Sequence, residues 1–554
     1  MSRLRPSARF RSCVLSAPVR LPSAPADADS GPASSAPPAR RPLFAGAEEA
    51  GSTHGHVGWR RWIRTTAGAA TVVGVVVAGW AMIAIPARAT YGTLTTADEP
   101  QYLLTALSLF EDRDLHIDDE LAEARFVPFH ELDLPVQTEM LDDGHQVSPH
   151  DPLLPAILAA PMGLGGWAAA KATLAVLGGV LAALLVWTAH RRFAVPLGVA
   201  AGTVLAFGVT APLTAYATQV YPELPAALAV TVAIALITGN RDCAGLIGFG
   251  LAVTALPWLG VKYAPVGAAL VVAVGMLVGE RRLRAAVSLV ALLTLAGIAY
   301  LGAHRLLYGG WTVYATGDHF TEGELTVMGR DPDYLGRSQR LGGLLLDHGF
   351  GLAAWMPAYL LAVPALVVLA RRRPAGWWTL VAPLAAGWAT ATWVALTMHG
   401  WWWPGRQLVV VVPCLVLAVA WWAGQVRAAR GFIAVAGTFG ALAWGWLLVE
   451  VLGRRRTLIF DFESTANPLY RAWRLLLPDY RHPDAADGAM QAAWFLALAA
   501  VALLAHHASR SRSSAAGRPG YDASLARSHG GSGREPAPRL GVRRPTKSAQ
   551  GRRP

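Results

Sequence analysis

Apolar runs of about 20 residues recur along this chain, and each is long enough for a helix to cross a hydrocarbon core. In that medium every backbone polar group must find its partner inside the protein, so runs of this length fold as helices. Composition agrees. The 554 residues are 54% hydrophobic and 15% charged, with mean hydropathy +0.37, whereas a soluble domain carries roughly 25% charged residues. The sequence therefore predicts an all-α integral membrane protein with about 12 transmembrane helices.

The formal net charge is +12, from 48 Lys and Arg against 36 Asp and Glu. Much of the positive charge lies in the tails and short loops, as the positive-inside rule expects. No nucleic-acid partner follows from it. Cys13, Cys243 and Cys414 are far apart and give neither a disulfide framework nor a metal-finger spacing. Residues 1–58 are rich in Arg, Pro, Ala and Ser and hold no sustained apolar stretch. They are expected to form a disordered cytoplasmic tail rather than a cleavable signal. Residues 508–554 read as a second disordered, basic tail, and 59–507 as the polytopic membrane domain.

The first span is expected at 67–87. Arg60, Arg61 and Arg64 precede it and place the N-terminus in the cytoplasm. The loop 88–166 is then external; it is rich in acids and poor in Arg, as a solvated exterior loop should be. Its last part, Pro152 to Pro161, is apolar but too short to span, and is expected to lie along the interface. Further spans are expected at 167–188, 197–217 and 224–238, then as two short helices within 244–278 broken around Lys262. The rest fall at 286–303, 350–370, 378–398, 408–423, 432–452 and 492–505. This alternation puts almost every short Arg cluster, and both termini, on the cytoplasmic side of the cell membrane. Arg454, Arg455 and Arg456 fall outside. Either they bind something anionic there, or the count is off by one near the end.

Asp98 and Glu99 follow the first span directly, in Thr95-Thr96-Ala97-Asp98-Glu99-Pro100-Gln101-Tyr102. Adjacent acids at a bilayer edge are costly, because the ionised form wants water. Either could act as general base toward a hydroxyl, worth about 10²–10⁴-fold; equally, Asp98 could be a helix cap. Glu223 begins a span after Pro222, where favourable contact with the helix dipole is the plainer explanation. Lys262 sits in a break between apolar segments; a buried Lys is rare unless paired, and snorkelling to headgroups competes with that reading. Arg406 follows Trp401, Trp402 and Trp403, which read as an interfacial aromatic belt. Its guanidinium could anchor at headgroups or fork onto a phosphodiester. His150-Asp151-Pro152 closes the first loop, while His116, His130 and His145 are scattered through it without zinc-site spacing. Asp318-His319 and Asp347-His348 read as surface pairs.

In order and topological side, these features resemble the polytopic C-type glycosyltransferases, which include protein O-mannosyltransferases and the aminoarabinose transferases of lipid A. The resemblance covers roughly 67–452. It rests on Ala97-Asp98-Glu99-Pro100-Gln101-Tyr102 after the first span, a long external loop ending in His150-Asp151-Pro152-Leu153-Leu154, Tyr221-Pro222-Glu223, and the stretch Gly400 to Arg406 leading to Pro413. The resemblance implies transfer of a sugar from a polyprenyl-phosphate donor to a cell-envelope glycan, lipid or protein on the outer face. It implies Asp98 or Glu99 as the catalytic acid, and Tyr102, His150, Lys262 and Arg406 as substrate-binding, with the cations on the phosphate. It also implies that Glu223 helps hold a divalent cation such as Mg²⁺ or Mn²⁺. The chain departs from the family in reading His150-Asp151-Pro152 where a Lys/His-Pro-Pro step is common, and Glu223 where Asp is common. The competing expectation is a transporter or flippase of a lipid-linked or anionic substrate. Such a protein places ionisable residues and broken helices near the bilayer midplane, often in two related halves. Here the candidate residues are expected at one face.

Overall fold

The computed structural model describes residues 64–134, 137–239, 243–277, 283–313 and 333–516. The segment Met1–Val57 separates from Gly58–Pro554 and lies wholly outside the described residues. Arg241, Arg281, Arg282 and the pair Asp318-His319 also fall outside them.

The regular structure of the described residues is helical apart from one two-residue ladder and a few isolated β-bridges. Helix α1 is Thr66–Met82, α2 is Glu99–Glu111 and α3 is Asp118–Ala122. Strands β1 (Glu139–Met140) and β2 (Gln146–Val147) pair antiparallel, with Glu139 opposite Val147. Then come α4 (Leu153–Phe193), α5 (Leu197–Gly208), α6 (Glu223–Ile237), α7 (Cys243–Leu259), α8 (Ala264–Leu277) and α9 (Leu283–Leu307). After several short turns follow α10 (Ala362–Arg372), α11 (Trp378–Ala389), α12 (Val412–Ala423), α13 (Arg427–Leu452) and α14 (Ala485–Ala516).

Five of the described helical segments are long and apolar enough to cross a membrane, and several shorter apolar helices accompany them. Their outward faces carry apolar side chains that water would punish: Leu295 is 63% exposed, Val449 71% and Leu496 72%. Exposed apolar area of this kind belongs against lipid. This is a multi-pass membrane protein. Helix α12 lies at the centre, with Cys414, Val416, Leu417, Ala418, Val419 and Ala420 fully buried. Helices α1 and α4 meet through glycine. A Cβ on Gly179 would stand 2.5 Å from the Gly74 carbonyl oxygen, the close backbone approach that small residues permit between apolar helices.

Several sequence boundaries hold. The apolar 152–161 stretch begins α4, and at Gly166 (φ 66°) the helix breaks before the span proper. The break around Lys262 is real: α7 ends at Leu259 and a 3₁₀ turn, Val261–Tyr263, leads into α8. Other expectations change. The third span is not one helix to Ala217; α5 stops at Gly208 and only a single turn, Leu213–Tyr216, follows. The eighth is a chain of pieces, Leu352–Trp355, Pro357–Leu361 and α10, because Pro357 removes a donor where a continuous helix needs one. The tail expected from residue 508 is still helical to Ala516. Arg454–Arg456 lie on the same side as the first loop: the Leu458 and Ile459 amides donate to the Arg88 and Ala89 carbonyls, each at 2.9 Å. The span count up to that point is therefore of the right parity.

Candidate active site

A pocket of about 120 Å³ opens where several helix ends meet. Asp98 arrives as the N-cap residue of α2, after Ala97 at φ 47°. That left-handed backbone is costly for a residue with a Cβ, and such strain persists only where surrounding contacts enforce it. The contacts are present: the Tyr221 hydroxyl donates to the Thr96 carbonyl at 3.2 Å, and the Thr96 hydroxyl to the Trp401 carbonyl at 3.3 Å. Glu223 opens α6, Lys262 lies on the 3₁₀ turn between α7 and α8, and His150 ends the first loop. Arg406 starts a 3₁₀ turn behind Gly405 at φ 83°, where a Cβ would stand 2.9 Å from Leu352.

Charges alternate through the cluster. Arg406 Nη2 donates to Asp98 Oδ2 at 2.6 Å and Nε to Glu223 Oε1 at 2.9 Å. Lys262 Nζ donates to the same Glu223 oxygen at 2.8 Å. The Arg406 guanidinium lies 4.1 Å from the Tyr221 ring centroid and 4.9 Å from that of Trp402, a sandwich that suits its planar, weakly hydrated cation. His150 Nε2 is 3.7 Å from Asp98 Oδ2, its ring 4.4 Å from that of Tyr102, and its Nδ1 within 2.8 Å of the Ser148 hydroxyl. Burial opposes ionisation of Asp98, yet the Arg406 cation and then His150 outweigh it and hold the carboxyl well below the usual range.

The sequence treated Asp98 and Glu99 as one pair, and the structure separates them. Successive helical residues diverge by about 100°. Asp98 lines the pocket, whereas Glu99 is fully buried and absent from its lining. The Glu99 oxygens accept from the Thr96 amide at 3.1 Å and the Val220 amide at 2.8 Å, and Lys171 Nζ stands 4.0 Å away. A carboxylate so occupied binds two chain segments together. Tyr102, His150, Lys262 and Arg406 line the pocket beside Asp98, and Glu223 ties its two cations together.

Four further residues matter: Asp151, which the sequence reading named only as part of the His150-Asp151-Pro152 step, and Lys171, Tyr300 and His304, which it left aside. Lys171 also donates to the Leu94 carbonyl at 2.6 Å. Asp151, on the pocket wall, accepts from the Val261 amide at 3.0 Å and the Tyr300 hydroxyl at 2.7 Å, and meets His304 Nε2 at 3.1 Å. It thereby fixes the turn that carries Lys262. Lys171 and His304 had one available signal, an ionisable residue inside an apolar run.

As a metal ligand Glu223 fits poorly. Its Oε1 is shared by two cations and only Oε2 is without a hydrogen-bond partner; a divalent ion there would sit against Lys262 and Arg406.

Fold and site define a class: a multi-pass helical membrane protein with an acid–cation pocket built from helix ends. No protein-family description matches the sequence, and no curated protein does. The chain is similar to the crystal structure of ArnT from Cupriavidus metallidurans bound to undecaprenyl phosphate, at 13% identity and TM-score 0.42, over 82% of this chain and 77% of that one. The same protein in the apo state gives 12% identity, with the same score and coverage. At this distance the likeness transfers neither residue roles nor activity.

Proposed function

We propose that the protein is a membrane glycosyltransferase of the C-type superfamily, moving a sugar from a polyprenyl-phosphate carrier to an acceptor hydroxyl at the outer face of the membrane. One observation carries this reading: Asp98, Tyr102, His150, Lys262 and Arg406 share one small pocket, and Glu223 joins the two cations. In the reaction the acceptor oxygen forms a bond to the anomeric carbon, the bond from that carbon to the phosphate oxygen breaks, and the phosphate leaves with the electron pair. Lys262 and Arg406 would stabilise that leaving charge, an electrostatic task suited to preorganised cations. Asp98 would take the acceptor proton.

Asp98 in its ion pair is a weak base, since a good base titrates near the working pH. The reading therefore includes an exchange. When a phosphate enters, Arg406 turns part of its fork from Asp98 and Glu223 to the phosphate, and Asp98, losing its cation, gains proton affinity. No step is routed through a metal, given the cations already on Glu223. The polyprenyl tail needs an apolar path. An apolar groove of about 790 Å³ lies between α10, α11 and α14, lined by Leu366, Leu384 and Phe495 among others; it shares no lining residue with the acid–cation pocket.

Transfer of radiolabelled sugar from a polyprenyl-phosphate donor in membranes holding the protein tests the reading. Transfer lost on Asp98→Asn supports it; vectorial movement of an intact lipid-linked substrate with no new glycosidic bond would make the protein a flippase. The outer-face assignment is checked by labelling a cysteine inserted near Asp142. Reaction in intact cells is expected, and reaction only after lysis would reverse the orientation.

A further inference from the structure

Helix α2 has a second acidic cluster at its other end, outside the pocket. Asp112 is its C-cap residue, and Asp119 and Glu120 lie on α3. One carboxylate oxygen from each of the three lies within 4.8 Å of the others. Asp112 and Asp119 are exposed, but Glu120 is 1% exposed, and among the described residues neither of its carboxylate oxygens receives a hydrogen bond from another residue. A buried carboxylate without a donor is expensive, and native proteins avoid it.

The surroundings make it worse. The carbonyl end of a helix carries partial negative charge, so Asp112 sits at the wrong terminus of α2. Arg125 is turned elsewhere: it holds both oxygens of Glu111, at 2.8 and 3.0 Å, and approaches Glu123 at 3.5 Å. The Asp114 carboxylate is also engaged, accepting from the Ser108 hydroxyl at 3.0 Å and the His116 amide at 2.9 Å. Three carboxylates therefore converge with little compensation: Arg125 acts on Asp112 only from beyond ion-pair distance, and burial together with Asp119 favours the protonated form of the inward-facing Glu120.

We propose that Asp112, Asp119 and Glu120 form a Ca²⁺ site that clamps the C-terminal end of α2 to α3. The donors are all hard oxygens, the preference of Ca²⁺ and Mg²⁺ and not of zinc or copper. Ca²⁺ takes about 6–8 oxygens in flexible geometry and accepts carboxylates in either one- or two-oxygen mode, whereas Mg²⁺ demands a near-ideal octahedron and gives up its water reluctantly, so three carboxylates from two helix ends suit the larger ion. The exposed flank of Asp112 and Asp119 leaves room for water to complete the shell. Two exposed ligands put the affinity in the weaker range, about 0.1–1 mM. The site lies one helix length from the pocket, about 20 Å along α2, and its role is to fix the loop that carries Asp98.

The test uses the full chain in detergent, stripped with EDTA and titrated with Ca²⁺ alone by calorimetry and by thermal melting. A saturable 1:1 heat with half-saturation at about 0.1–1 mM, and a Tm rise of about 2–4 °C at saturation, are expected. Mg²⁺ in a parallel arm should bind more weakly. Both signals should vanish in Glu120→Gln and in Asp119→Asn, while Glu120→Gln in EDTA melts no lower than the unmodified protein in EDTA, which shows that it folds. Absence of saturable binding overturns the proposal. So does an equal Tm rise in Glu120→Gln, which would mark an adventitious ion only, and so does tighter binding of Mg²⁺ than of Ca²⁺. None of these readings depends on enzymatic activity, so the clamp and the transferase reading fail separately.

Discussion

The two ends of α2 carry acids of the same kind in opposite states. At the N-terminal end, Asp98 meets Arg406, Glu99 meets two amides and Lys171, and Glu223 meets Lys262 and Arg406. At the C-terminal end, Glu120 forms no ion pair among the described residues, and burial followed by Asp119 pushes its carboxyl up to about 8. The helix dipole sharpens the contrast, favouring anions at the first end and opposing them at the second. The first end is neutralised by the chain's own cations. At the second end the cation Arg125 is committed to Glu111, and no cation among the described residues forms an ion pair with Asp112, Asp119 or Glu120.

The largest expected effect comes from breaking the first end at its shared cation. Arg406→Ala leaves Asp98 without its cation and the fully buried Glu223 with Lys262 alone, and breaking a buried pair this way costs about 3–5 kcal/mol. A melting curve that does not move would show the pair to be solvated. Next is Glu99→Gln, which replaces an acceptor of two buried amides and should cost about 1–3 kcal/mol while turnover per folded molecule changes little. The comparison predicts opposite signs here. In EDTA, neutralising Glu99 destabilises the protein and neutralising Glu120 does not; two losses of equal size would erase the distinction.

Gly179→Ala probes the packing that holds the frame. Its Cβ would press on the Gly74 carbonyl, an overpacking cost of about 1–3 kcal/mol, read as reduced detergent-resistant melting. The smallest effect is with pH. Asp98 has a depressed folded pKa, so its stabilisation is present above its unfolded value near 3.9 and is lost only as pH falls below it. Between pH 5 and 9, kcat/KM should show no limb from Asp98 in the free protein. An acid limb in that range that disappears in Asp98→Asn would mean the Arg406 pair is weaker than it stands here.

Much of this was legible in the chain. Run length announced the helices, Lys262 announced a break, and the order of acids and cations brought six separated residues to one site. The Asp98–Glu99 pair misled because adjacency in sequence is not adjacency in space; Asp98 stands at the N-cap position with its side chain on Arg406 rather than on the helix amides, and Glu99 lies inside the helix. The Ca²⁺ clamp was invisible for the converse reason. Asp112 and Glu120 sit on different helices, and in an acidic loop nothing distinguishes a converging triad from solvated charge. The third and eighth spans were drawn as single helices because hydropathy is blind to breaks buried within protein, where irregular backbone can find partners.

The central claim is that Asp98 works on substrate while Glu99 only holds the fold. Sugar transfer from a polyprenyl-phosphate donor, measured in membranes with Asp98→Asn beside Glu99→Gln and normalised to folded protein, tests it most directly. The account predicts a loss of about 10²-fold or more for Asp98→Asn and less than tenfold for Glu99→Gln. Equal transfer by Asp98→Asn and the unmodified protein would contradict it, reducing Asp98 to a structural partner of Arg406.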